Sequence, residues 1–420
     1  MTRSIRLIKE GIWTVIGQAS VLLGTIFIVR ILTDVLHPAQ YGMLTLGLTL
    51  AAFINQVILS GIVSSIGRHY SIAEQKGELF IYLGESLFLM LKASLFLVFF
   101  WAATILFVLY FVRDEWIGFL STIFIFSLLS GYNVAIVGIL NAARRRVDVA
   151  IINSIGAFLR VLFLLIIIMY FAGSNTQIIV SYTGAAIVVF FIQLYFLRKL
   201  IPVRIARDVS YSWPGKMWGY ALPYSIWGIF TWLLFASDKW ALSAFGSLED
   251  VGHFAVLYQL GYAPVVLASG MFASFIEPIM FQRAGDATDI ARKKSVHHII
   301  WRMAYMMLFI VLTLFIITYA WHDLIFDLLV GSEYTQISAL LPWAVLAGGL
   351  FSVGQLLTSK LLSELKQRSL MVVKIGTAMF GVGFNIFGAY YFGIAGVVAA
   401  MLSFSAFYLI WMLILSRNQV

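Results

Sequence analysis

Apolar runs of roughly 20 residues recur along this chain from end to end, separated by short polar stretches. As a helix, such a run spans about 30 Å, the thickness of a bilayer's hydrocarbon core. Unpaired backbone groups are not tolerated there, so a spanning segment must be a helix or part of a closed barrel. A barrel would read as short alternating segments instead. Only 11% of the 420 residues are charged, against about 25% in soluble domains. Mean hydropathy is +0.96. The fold class expected is therefore an all-α polytopic membrane protein.

The runs fall at 11–32, 41–64, 80–112, 116–140, 149–172, 177–197, 218–237, 251–278, 299–320, 337–359, 369–391 and 393–415, twelve in all. The third is too long for one span. Lys92 divides it into an amphipathic lead-in, 80–91, and an apolar part, 93–112. The first run is too long for the core of a signal peptide and lacks a small-residue cleavage site, so it reads as a span.

Orientation follows Lys and Arg. Arg3, Arg6 and Lys9 precede the first run, and Arg144, Arg145 and Arg146 follow the fourth. Arg198, Lys199, Arg204, Arg207 and Lys216 follow the sixth. Arg283, Arg292, Lys293 and Lys294 follow the eighth, and Lys360, Lys366 and Arg368 the tenth. The odd-numbered connections hold little beyond Arg113 and Lys239. Both termini are expected in the cytoplasm. The excess of 28 basic over 19 acidic residues, +9, is accounted for by topology and anionic lipid. Nucleic acid is not required as a partner. The chain has no cysteine, so disulfide and thiol chemistry are excluded.

The basic stretch LRKLIPVRIARDVSYSWPGK, 197–216, is the longest inner connection. It suggests a six-helix lobe over 1–200, a cytoplasmic linker at 201–217 and a second six-helix lobe over 218–420. A shift of about 210 residues sets Tyr41-Gly42 on Val251-Gly252, and Lys92 on Arg302. Halves with the same six-span parity share an orientation. The expected arrangement is a parallel repeat about an axis along the membrane normal, enclosing a central cavity. A polar island, Gly331-Ser332-Glu333-Tyr334-Thr335-Gln336, separates the ninth and tenth runs. On this topology it is outside, within the longest outer loop, 321–336, which is too short for a catalytic domain.

No P-loop is present, and no His/Cys spacing suits zinc. His297 and His298 are adjacent, so on a helix they point about 100° apart. Gly381, Gly383 and Gly388 follow no strand and suit close helix packing better than a dinucleotide. No catalytic residue, metal site or cofactor is expected. Charges inside apolar runs carry more information, because each costs about 2.5–3.5 kcal/mol at the centre of a spanning helix. Arg160 lies near mid-depth of the fifth run, too deep to snorkel easily. It, Arg30, Lys92 and Arg302 are candidates for a cationic substrate-binding cavity. The alternative for Arg160 is a structural partner in the protein; for the other three, and for Lys374, it is anchoring at a helix end. Among the acids, Glu277 and Glu364 read as interfacial. Glu85 and Asp238 stand as ion-coupling candidates, with an interfacial role as the alternative. No acid sits clearly at mid-depth, so deep charge is positive and favours an anionic substrate.

The stretch FIVRILTDVLHPAQYGMLTLGLTLAAFINQVILSGIVSSIGRHY resembles the polysaccharide repeat-unit, or O-antigen, flippases. These belong to the multidrug/oligosaccharidyl-lipid/polysaccharide exporter superfamily. The resemblance rests on Arg30, Leu32, Tyr41, Gly42, Gly61, Ile62 and Arg68, on Gly331, Glu333, Tyr334 and Leu340-Leu341-Pro342, and on Asn385, Gly393, Ile394, Gly396 and Ala399-Ala400. It implies twelve helices in two six-helix lobes, and no enzyme. It also implies alternating-access, gradient-coupled export of a polyprenyl-pyrophosphate-linked oligosaccharide across a bacterial inner membrane. The partners implied are the lipid-linked oligosaccharide, membrane lipids, a glycan polymerase and a chain-length regulator. Pro38-Ala39-Gln40 departs from the acid usual before Tyr-Gly in many members. The acidic cation sites of the drug-exporting branch have no deep counterpart here. The alternatives are a cation-coupled drug exporter, a membrane glycan polymerase or ligase, and a structural partner in a glycan assembly complex.

Overall fold

The computed structural model describes residues 3–111, 115–171, 173–200, 213–271, 290–363 and 367–417. Over its described residues, each of the twelve runs falls on a helix. The first six are α1 (Arg3–Val35), α2 (Pro38–Gln75), α3 (Leu79–Phe111), α4 (Glu115–Ala142), α5 (Arg146–Tyr170) and α6 (Asn175–Arg198). They are followed by α7 (Trp213–Phe245), α8 (Leu248–Met271), α9 (Ile290–Leu329) and α10 (Leu341–Ser363). The helical segment Gln367–Arg417 is broken at Gly393, with φ 57° and ψ −136°, a conformation that only glycine adopts readily. Gly388 and Gly396 face each other across that break, and a Cβ on Gly396 would stand 2.1 Å from the Gly388 carbonyl oxygen. In a straight helix they would be about 12 Å apart. The segment is therefore a hairpin of α11 (367–392) and α12 (394–417). Ten described segments are long and apolar enough to cross a bilayer. Gly393 divides the last of these into two, and α7 adds the twelfth helix.

Three local expectations are corrected. Lys92 does not divide the third run: α3 is continuous, and exposed Lys92 lays its Nζ 4.4 Å from the centre of the Phe88 ring. Helix continuity depends on backbone pairing, and lysine is a good helix former. The stretch 321–336 is mostly not a loop. Helix α9 continues to Leu329 across a kink at Trp321, and a 3₁₀ helix begins at Ser332. Finally, Asp238 and Lys239 do not end α7. The helix runs on to Phe245, leaving both residues inside it. Glu277 and Glu364 lie outside the described residues.

The chain forms two compact units, one of residues 1–28 with 46–232, the other of residues 29–45 with 233–420. These bounds follow packing and do not coincide with a division at 201–217. In unit 1, Trp213 of α7 is fully buried against Tyr82 at 5.0 Å between ring centres, and its indole donates to buried Glu78 at 3.0 Å. Tyr82 donates to the Ile66 carbonyl. A π-helical segment of α2, Ile54–Leu59, turns Asn55 toward α4, where its amide donates to Ser130 at 2.9 Å.

Unit 2 has a π segment at Tyr258–Tyr262, also in the second helix of its half. Its polar island is a clamp. Gly331 N–H donates to Thr33 Oγ1 at 3.0 Å, and buried Tyr334 donates to the Leu36 carbonyl at 2.8 Å. Tyr334 also meets Tyr41 edge-on at 6.0 Å. Beside it, Gly42 and Gly252, 210 residues apart, pack backbone to backbone. A Cβ on Gly42 would lie 2.0 Å from the Leu248 carbonyl oxygen, and one on Gly252 2.0 Å from that of Pro38. Tyr334→Phe keeps the packing but orphans a buried carbonyl. It is expected to destabilise the protein by about 1–3 kcal/mol, seen as a lower unfolding midpoint in detergent. An unchanged midpoint would remove this hydrogen bond from the account of the clamp.

Candidate functional site: a polar cavity within unit 1

Four apolar helices leave a polar hollow inside unit 1. Helices α1 and α5 approach closely through small residues: a Cβ on Gly17 would stand 2.8 Å from Ala150 Cα, and one on Gly24 3.0 Å from Ala157 Cβ. Ser154 donates to Ser20 at 2.9 Å across the same contact. Small residues allow such approach in membranes, where hydrophobic force between helices is weak. Beside that seam, α1, α4, α5 and α6 line a cavity of about 360 Å³. Its polar members include Gln18, Asn133, Asn153, Gln193 and Arg160.

Arg160 is fourteen residues into α5, about 21 Å along its axis. It is reached through the cavity and remains exposed there. No ion pair or hydrogen bond engages it among the described residues. A guanidinium stays charged in proteins, so this cavity presents an uncompensated cation at depth. Gln193 is 2% exposed, and its Oε1 accepts no hydrogen bond. Asn133 donates through Nδ2 to the Ala186 carbonyl at 3.0 Å, which fixes the amide and leaves Oδ1 unpaired. The hollow therefore presents one strong donor fork among neutral amide side chains, two of whose oxygens are buried without a hydrogen-bond partner.

The other sequence candidates stand elsewhere. Arg30 belongs to unit 2, where it pairs with Asp34 at 3.3 Å and donates to the Val330 carbonyl beside the polar island. Lys92 is exposed on α3 and Arg302 exposed on α9 of unit 2. Glu85 is half-buried on α3. Asp238 is buried in unit 2, with both carboxylate oxygens on Lys239 Nζ at 3.0 and 3.1 Å. The Lys239 ammonium also donates to the Phe235 carbonyl at 3.2 Å and lies 4.3 Å from the Tyr258 ring centre. Consecutive helical residues point apart, so this pairing needs the lysine stem to curl back. The site residues that charge alone does not reveal are the amides. Each of Gln18, Asn133, Asn153 and Gln193 interrupts a different apolar run, which is a weaker form of the signal that singles out Arg160.

The family described as polysaccharide biosynthesis protein matches residues 7–283. No curated protein matches the chain. Among solved structures, the chain is similar to an inward-facing multidrug resistance MATE family transporter of the MOP superfamily. That match has a TM-score of 0.68 and 13% identity, and covers 99% of this chain and 98% of the other. The lipid II flippase MurJ, in an inward closed conformation, matches at 0.72 and 12% identity, over 98% and 88% of the two chains. A variant of a MATE transporter from Vibrio cholerae matches at 0.66 and 15%, over 98% and 95%. At these identities the likeness establishes the fold: a MATE-like bundle of membrane-spanning helices.

Proposed function

Since the chain belongs to the polysaccharide biosynthesis protein family, we propose that it is a flippase for a polyprenyl-pyrophosphate-linked oligosaccharide repeat unit. It carries its cargo across the bacterial inner membrane by alternating access and makes or breaks no bond. The observation that carries this reading is the uncompensated Arg160 in a polar cavity within spanning helices. A cation at depth in spanning helices costs several kcal/mol unless something answers it, and the anionic part of a lipid-linked glycan does so. The similarity in fold to a lipid II flippase supports a lipid-linked cargo. Arg30, Lys92 and Arg302 serve less directly: Arg30 is engaged by Asp34, and the other two are suited to drawing anionic headgroups by long-range field.

The cargo would keep its lipid tail in the bilayer, with both termini of the protein in the cytoplasm. Reporter fusions after Val420 and within 331–336 test that orientation; a cytoplasmic signal from the second overturns it. The transport test uses proteoliposomes holding a fluorescent polyprenyl-pyrophosphate oligosaccharide and an impermeant quencher outside. The protein is expected to move label from the inner to the outer leaflet, and failure to do so with active, inserted protein rejects the reading.

Coupling to an ion gradient is assigned to Asp238, the more buried of the two acid candidates; Glu85 is half-buried. Asp238→Asn is expected to keep passive exchange of cargo while abolishing acceleration by an imposed proton or sodium gradient. Undiminished gradient dependence in that variant moves the coupling role to another group, Glu85 first.

A further inference from the structure

We infer that a groove in unit 2 holds one anionic phospholipid of the surrounding bilayer, with its phosphate on Arg417 and an acyl chain between α9 and α12. The ligand is a lipid of the membrane itself, so the site stands whatever the cargo is. The groove has a volume of about 370 Å³. Trp301, Tyr305 and Leu308 line it from α9, and Ile410, Ile414 and Arg417 line it from α12. Each set keeps the i, i+4, i+7 spacing of one helix face. Val353 of α10, which is buried, lines the bottom. Tyr305, Ile410 and Ile414 are instead 63%, 56% and 53% exposed. The groove therefore opens sideways, onto the hydrocarbon around the spanning helices.

Its two ends differ. The span formed by α9 begins at His297, and the last span ends at Arg417. Trp301 and Arg417 thus mark the end at the membrane surface, and Leu308 and Ile410 the deep end. Seven helical residues separate the two, about 10 Å, or roughly a third of the hydrocarbon thickness. The shallow end carries two aromatics of the interfacial kind, Trp301 and Tyr305, with ring centres 5.7 Å apart. It also carries charge. Arg417 is exposed and makes no ion pair or hydrogen bond among the described residues, and the same holds for Arg302 beside Trp301. Cation and aromatics at the surface with aliphatic carbon below is the order of groups that a phospholipid answers. Charge selects the class: a zwitterionic headgroup brings a cation that both arginines oppose, and an anionic one brings none. The surrounding phospholipid is favoured over the cargo's own lipid because the groove opens onto the bilayer, where phospholipid is in excess and occupancy follows mass action.

The test is native mass spectrometry of the purified full chain in detergent. It is titrated with dioleoylphosphatidylglycerol, with dioleoylphosphatidylcholine and with a polyprenyl pyrophosphate. The first phosphatidylglycerol is expected to bind about tenfold more tightly than the first phosphatidylcholine, as two basic residues near the surface would give. Arg417→Gln should cut that preference about fivefold, the worth of one such residue. Ile410→Trp fills the groove from an exposed position and should remove the first site for both phospholipids. Ile316→Trp, also exposed but farther along α9 and outside the groove, should change nothing. Arg417→Gln, at an exposed helix end, needs no repacking and decides the matter if Ile410→Trp does not fold. The proposal is overturned if phosphatidylglycerol binds no more tightly than phosphatidylcholine, or if its preference survives Arg417→Gln undiminished. It is equally overturned if folded Ile410→Trp keeps the first site, or if polyprenyl pyrophosphate displaces phosphatidylglycerol at equal concentration, which would make the groove a cargo site.

Discussion

Replacing Arg160 with Gln is expected to lower translocation per inserted molecule by about tenfold or more, with expression and insertion unchanged. The magnitude follows from losing charge-assisted hydrogen bonds to an anion, about 1.5–3 kcal/mol. Expression should survive because nothing in the described protein depends on the charge: Arg160 has no ion-pair or hydrogen-bond partner there. Removing an uncompensated cation from apolar helices relieves a cost. Arg160→Lys keeps the charge and loses the planar fork, so it should retain partial transport. If the residue were instead a structural strut, the glutamine variant would express poorly and transport normally per molecule. Quantifying translocation against protein inserted separates the two, and full activity per molecule in Arg160→Gln removes this residue from the site.

Gly252→Val is expected to prevent accumulation of folded protein, or to destabilise it by about 3 kcal/mol or more. Overpacking usually costs about 1–3 kcal/mol when side chains can give way. Here the obstacle is backbone: the first added carbon would sit 2.0 Å from the Pro38 carbonyl oxygen and 3.2 Å from the Gly42 nitrogen. Relief would require moving α2 away from α8, and with it the buried contacts of Tyr41 and Tyr334. Gly67→Ala is the control, since an added carbon there meets nothing within 4 Å. Size-exclusion profiles and detergent-unfolding midpoints of the two variants decide the matter. Equal stability would mean that the helices separate at little cost.

The helices were legible because hydrocarbon thickness sets their length and excludes other structure. Where sequence reasoning failed, it asked side chains to do the backbone's work. Lys92 breaks the hydropathy of the third run, yet a lysine interrupts nothing in a helical ladder. The end of an apolar run at 237 is what suggests the interfacial alternative for Asp238, while the helix continues to Phe245 and buries it. Arg30 was partly legible, since Asp34 lies four residues on, the spacing at which helical side chains meet. The amides around Arg160 are a different case. Each is unremarkable in its own run, and only the packing of four helices makes them one lining. A 210-residue shift sets Gly42 on Gly252. That the two touch could not be read from it, because aligning two segments says nothing about the distance between them.

The pairing of Asp238 with Lys239 has an electrical consequence. One elementary charge moved through 100 mV exchanges about 2.3 kcal/mol with the membrane field. Paired as carboxylate and ammonium at 3.0 Å, Asp238 and Lys239 would carry no net charge between them, so moving the pair without a bound coupling ion would do no electrical work. Arg160 is different. While its cavity is empty, that region carries a full positive charge, and an arriving anion neutralises it. The membrane potential therefore acts on the unloaded carrier and leaves the loaded cavity alone. A voltage of fixed sign would then bear on the return stroke of the empty cavity, separately from the ion gradient assigned to Asp238.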